Sequence, residues 1–148
     1  MEVIPVNEKE KAAVKELKNY NGYKIKRINL REKIKALDEI SSGISYDDIR
    51  VDSGFRNSVE NNMITRIDKK EELERTLKIT TANITIIERA LDNLSAEERQ
   101  VLTAFYIDRI YNPADKMAAS LNISRTNTYN IRDSALKKFV IMVSGGMY

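Results

Sequence analysis

The chain contains no cysteine and no histidine. Disulfides, thiolate- or imidazole-ligated zinc, a thiol nucleophile and imidazole acid–base catalysis are thereby excluded. Two prolines and five glycines in 148 residues leave few breaks and favour long helices. No apolar run approaches the roughly 18–20 residues that span a bilayer, and the start MEVIPVNEKEK has no signal-peptide core. Together these absences point to a cytoplasmic protein with no membrane partner. There is no glycine-rich phosphate loop, and the adjacent acids Glu71-Glu72 and Glu97-Glu98 point to different azimuths of their helices. An enzyme, a cofactor and a bound metal are therefore not expected.

What remains is 42% hydrophobic and 32% charged, the balance of a globular, helix-rich chain. The net charge of +3 and a pI near 9.0 permit a nucleic-acid partner without demanding one. From Asn7 to Asn19 helix formers dominate, with Val14 and Leu17 as a thin apolar stripe. Asn21-Gly22 signals a turn. A second helix, from about Tyr23 to Ser41, places Leu30, Ile34 and Leu37 at 3–4 spacing with Ile40 beside them. Lys24, Lys26, Arg27, Arg31, Lys33 and Lys35 occupy its other side, either as a solvated face or as a contact with phosphates. The Ser, Gly and Asp content of 42–57 predicts a mobile connection there. Asp47, Asp48 and Asp52 in it match no calcium-loop spacing.

A long helix is expected from about Ser58 to Asn93, with heptad pairs Met63/Arg66, Lys70/Leu73, Leu77/Thr80, Ile84/Ile87 and Leu91/Leu94. At about 54 Å it cannot bury this seam alone. Its partner is either the preceding helix, folded back as a hairpin, or the same helix of a second subunit in a homodimer. Ser95 and Glu98 then form a capping box that opens a helix with Val101, Leu102, Phe105 and Tyr106 on its apolar face. Pro113 suits the first turn of the next helix.

Residues 113–139 read as a helix-turn-helix. Met117, Ala118 and Leu121 share a face of the first helix, and Asn122 tolerates the left-handed backbone a tight turn requires. Ile123 is the apolar turn residue, and Ser124 caps a second helix bearing Ile131, Ala135, Leu136 and Phe139 at helical spacing. In such a motif the second helix enters the DNA major groove. Near its start, Arg125, Thr126, Asn127, Tyr129 and Asn130 are candidates for base edges, since Arg suits guanine and Asn suits adenine. Tyr129 could equally pack in the core. Ser124 at the helix N-terminus suits a phosphate, and Arg132, Lys137 and Lys138 suit the DNA backbone or solvent.

From Leu94 onward the chain resembles region 4 of bacterial sigma factors. Leu94, Glu98, Arg99, Val101 and Leu102 match the opening of that region's leading helix. Ile131, Ala135, Leu136, Lys138 and Phe139 match its closing pattern. Thr128 departs from it, standing where an aliphatic residue is usual, and nothing in the first 93 residues looks like the promoter-melting region of a sigma factor. With Ala90-Leu91-Asp92-Asn93-Leu94 at the junction, the whole layout resembles small phage-encoded late-gene regulators of the ArpU/RinA kind.

The resemblance implies an all-α protein: an N-terminal helical hairpin or coiled-coil region over 1–93 and a sigma-region-4-like helix-turn-helix module over 94–148. It implies a sequence-specific transcription regulator that binds double-stranded DNA in a bacterial host cell. A factor that binds RNA polymerase, and a small terminase subunit that recognises a packaging site, are the alternatives.

Overall fold

The computed structural model describes residues 3–42 and 53–144, with side chains described for 8–40 and 62–144. Among the described residues every regular element is helical and there is no strand. The elements are α1 (Val3–Ser42), α2 (Ser53–Asp92), α3 (Ala96–Leu102), a π-turn (Thr103–Ile107), α4 (Pro113–Leu121) and α5 (Arg125–Val143). None of these helices is long and apolar enough to cross a membrane.

α1 is one continuous helix, so the turn expected at Asn21-Gly22 does not form. The reason is periodicity. Covered positions recur at 13, 17, 20, 23, 27, 30, 34 and 37, in one phase on both sides of Gly22. A helical phase this long outweighs the roughly 1 kcal/mol that a single interior glycine costs. The cations expected on one face of α1 are instead spread around it, with Arg27 half-covered. The connection expected over 42–57 falls largely on 43–52, outside the described residues, together with Asp47, Asp48 and Asp52. Residues 53–57 belong to α2, which starts earlier than its sequence periodicity indicates.

The chain divides into two compact units. One comprises Tyr23–Ala82. Its covered positions along α2 are 63, 66, 70, 73, 76, 77, 80 and 81, which include the heptad seam expected there. Leu30 and Thr80 are its buried residues among those described. Lys70 Nζ lies 2.6 Å from Asp38 Oδ1, which joins α1 to α2 within this unit and raises the lysine pKa through the hydrogen bond to the carboxylate. Arg27 Nε and Arg66 Nη1 are covered, with no hydrogen-bond partner among the described residues.

The other unit combines Met1–Gly22 with Asn83–Tyr148. Its core draws Ala13 and Leu17 from α1, Ile84, Ile87, Ala90 and Leu91 from α2, and Val101, Leu102, Leu136, Phe139 and Val140 from the later helices. Tyr20 donates to Glu88 at 2.6 Å, tying α1 to α2 within this unit. The π-turn has its own signature: Asp108 N–H reaches back five residues to Thr103 C=O at 2.8 Å, and Ile110 N–H reaches Ala104 C=O at 3.1 Å. Arg109 and Asn112 then take left-handed backbones, each at φ 49°, and bring Pro113 to the head of α4.

Candidate functional site

The candidate surface lies on α5 and is built from the turn that precedes it. Asn122 ends α4 in the left-handed conformation (φ 57°, ψ 48°), and Ile123 N–H donates to Ala118 C=O at 3.0 Å. Ser124 is extended and caps α5, its hydroxyl accepting from Asn127 N–H at 3.0 Å. The Ser124 carbonyl accepts twice, from Thr128 N–H and from the Thr128 hydroxyl, both at 3.1 Å. Thr128 is fully buried with its hydroxyl satisfied. The three-residue turn 122–124 fixes where α5 begins, and with it the azimuth of every later side chain.

One face of α5 is covered: Thr128, Ala135, Leu136, Phe139 and Val140 are buried. Beside them Ile131 of α5 packs against Val101, Ala104 and Met117, a small core that also takes Phe105, Ile110 and Leu121. The opposite face carries Thr126, Asn127, Asn130, Ser134, Lys137 and Lys138, all exposed, with the exposed acid Asp133 at its edge. Lys138 Nζ is held 2.7 Å from Glu98 Oε2. The Ser95 backbone N–H donates to Glu98 Oε1 at 3.0 Å, completing the capping box of α3. The Lys138 hydrogen bond, aided by that N–H and opposed by burial, holds the Glu98 carboxyl below its usual range.

The expected site residues divide into two groups. Arg125, Thr126, Asn127, Asn130 and Lys137 are exposed, and Ser124 is exposed but engaged as the cap. Arg125 leans back along the protein, with Nε 3.5 Å from Asp115 Oδ1 and Nη2 3.4 Å from the Tyr129 hydroxyl. Tyr129 and Arg132 are half-covered and belong to a stack. The Arg132 guanidinium lies 4.9 Å from the Tyr129 ring centre and 5.3 Å from that of Phe105, and the two rings meet edge to face at 6.0 Å. Asp133 adds an ion pair to Arg132 at 2.9 Å. Such a guanidinium–ring stack orients the side chain along the protein surface.

Two features escaped the sequence reading. Ser134 continues the exposed arc at helical spacing from Asn127 and Asn130, and that spacing would have found it. The second is a basic groove of about 700 Å³ on the other flank of α5, lined by Lys11, Lys15, Lys18, Tyr106, Arg109, Arg132 and Asp133 among others. Burial in this region pushes the Tyr106 hydroxyl pKa up. No sequence signal ties Lys11, Lys15 and Lys18 to Arg109, because the pairing depends on which part of α1 folds against the π-turn.

The family model described as Protein of unknown function (DUF1492) matches residues 39–140. The chain belongs to this family. No curated protein and no solved structure matches it. The DUF1492 match takes in the whole of α3, the π-turn, α4 and α5 up to Val140, and hence every residue of the exposed arc on α5.

Proposed function

We propose that this protein is a sequence-specific DNA-binding transcription regulator, with α4 and α5 acting as a helix-turn-helix and α5 as the reading helix. The observation that carries this reading is the arc Thr126, Asn127, Asn130, Ser134 and Lys137. It is exposed and polar, it lies opposite the buried face of the same helix, and the acid at its edge, Asp133, is paired with Arg132. In the assignment we favour, Arg125, Thr126, Asn127 and Asn130 meet base edges. Ser124 and the α5 N-terminus meet one phosphate, and Lys137 another. Tyr129 and Arg132 act from beneath, holding the reading face in position. The resemblance of the segment from Leu94 onward to sigma region 4 adds the expectation of promoter DNA. The layout of the whole chain adds that of a phage or prophage late-gene activator.

The test is an electrophoretic mobility shift of the purified full-length chain against fragments of phage and host genomes at two salt concentrations. A complex that prefers particular fragments and weakens as salt rises is expected. Salt-sensitive binding with no fragment preference would reduce the proposal to non-specific DNA binding. Retention of core RNA polymerase without any DNA preference would replace it with a polymerase-binding function. A ring of eight or more subunits in solution would favour recognition of a packaging site instead.

A further inference from the structure

The groove of about 700 Å³ on the flank of α5 concentrates the positive charge of the chain. Five cations and two acids line it, an excess as large as the net charge of +3 on all 148 residues. One of the acids, Asp133, is paired with Arg132 at 2.9 Å, and the other, Glu10, is half-covered. Lys11, Lys15, Lys18 and Arg109 are exposed, and none of them forms an ion pair among the described residues. Like charges gathered without counter-charges repel one another, so an anion in the groove relieves the repulsion.

The row of lysines is positioned by the core. Ala13 and Leu17 are buried on the other side of α1, and Lys11, Lys15 and Lys18 follow one another at helical spacing along the side that lines the groove. The row spans about 10 Å. Arg109 joins it from the end of the π-turn with a left-handed backbone at φ 49°, a conformation that glycine or asparagine adopts more readily. Tyr106 adds a half-covered hydroxyl that forms no hydrogen bond among the described residues. Burial pushes its pKa up, so it remains a protonated donor at neutral pH. Arg132, Asp133 and Leu136 of α5 complete the lining, which sets the groove beside the helix that carries the proposed reading face.

We infer that this groove holds the phosphodiester backbone of one DNA strand, with Lys11, Lys15, Lys18 and Arg109 meeting successive phosphates. The inference rests on the DNA-binding reading and extends it to α1, which that reading leaves unused. An α-helix about 10–12 Å across fills a major groove about 12 Å wide, so the flanks of a reading helix face the two strands. Charge distinguishes the two flanks of α5. The other flank is a groove of about 500 Å³ lined by Glu97 and Glu98, and Lys138 there is already paired with Glu98. A strand carries one phosphate for about every 3.4 Å of duplex axis, so one that passes along α1 presents about three to the row of lysines. An acidic protein segment would be drawn by the same charges, but the place of the groove beside the reading helix favours the strand.

The test is fluorescence anisotropy of the full-length chain across a salt series, on the fragment it binds most tightly in the mobility shift. Combining Lys11→Gln with Lys15→Gln should reduce the slope of log affinity against log salt by about 2. Binding at about 0.15 M salt should weaken about tenfold or more, equally on preferred and non-preferred fragments. Arg109→Asn, which suits the left-handed backbone, should reduce the slope by about 1. Lys78→Gln, at an exposed lysine of α2 outside the groove, should leave the slope unchanged. Circular dichroism checks that each variant keeps its helix content. A wild type that prefers particular fragments, with the same slope in both groove variants, would overturn the inference and leave the DNA-binding reading standing. A slope reduced as much by Lys78→Gln would also overturn it, by making the effect one of total charge. A wild type that binds no duplex would overturn both. Groove variants that lose core RNA polymerase but keep the DNA slope would reassign the groove to an acidic protein partner.

Discussion

Lys138 Nζ lies 2.7 Å from Glu98 Oε2, and the same carboxylate accepts the Ser95 backbone N–H through its other oxygen. One side chain therefore both starts α3 and anchors α5, 40 residues further along. Because Glu98 is held below its ordinary value of 4.5, its stabilising contribution is complete above that value and is lost as pH falls through the lowered one. Glu98→Gln should lower the melting temperature at pH 7 by about 2–4 °C, the shift that roughly 1 kcal/mol produces in a chain of this size. The gap between wild type and variant should narrow in thermal melts taken below about pH 4. A gap that is constant with pH would remove the carboxylate from this account.

Gly22 sits in the interior of α1, and a Cβ built there meets nothing within 4 Å. Gly22→Ala should therefore stabilise the protein by about 0.5–1 kcal/mol, by restricting the unfolded chain and favouring helix. Urea unfolding monitored by circular dichroism would show a higher midpoint. A lower midpoint would mean that α1 is not one helix at this position.

The stack beneath the exposed arc separates two effects that DNA binding alone would confuse. Arg132→Ala removes a guanidinium from two rings and should cost about 0.5–2 kcal/mol of stability in the absence of any DNA. Asn130→Ala, on an exposed position, should stay within about 0.5 kcal/mol of wild type in stability. On the proposed function it should lose about 1–3 kcal/mol of discrimination at one base pair. Paired thermal melts and binding titrations on both variants check this. Equal stability losses would dissolve the distinction.

Asp115 holds Arg125 at 3.5 Å, on a surface where both side chains are more than half exposed. So exposed a pair contributes little to stability, about 0–1 kcal/mol. It does place a negative charge beside the proposed reading face. Asp115→Asn should release Arg125 and tighten DNA binding, most clearly at low salt, where exposed charges are least screened. Fluorescence anisotropy at two ionic strengths would report it. Weaker binding by the variant would show that Asp115 positions Arg125 for DNA rather than withholding it.

Much of the C-terminal half was legible because its signals are local. The Ser95–Glu98 capping box, Pro113 at the head of α4, the left-handed Asn122 and the Ser124 cap each depend on neighbours within a few residues. The heptad seam of α2 was legible for the same reason. Asn21-Gly22 misled because a turn signal is only a propensity, and the phase of α1 on both sides of it prevailed. The engagement of Arg132 with Phe105 and Tyr129 was not readable, since it depends on where the π-turn sets Phe105 relative to α5. Thr128 shows the limit of pattern matching. Its hydroxyl finds the Ser124 carbonyl one turn back, so a polar residue fills an apolar position without penalty.

The π-turn at Thr103–Ile107 also bears on how this fold could have changed over time. A turn closed over five residues instead of four is what a helix becomes when it absorbs one extra residue without unwinding. The helix that opens with the Ser95 cap can therefore lengthen by a single residue and still deliver Phe105 to the stack and Ile110 to the core. A chain one residue shorter here would keep a plain α-helical end, with the elements before and after the turn in their present directions. The turn is thus a point where length can vary by one while the surface on α5 stays in place.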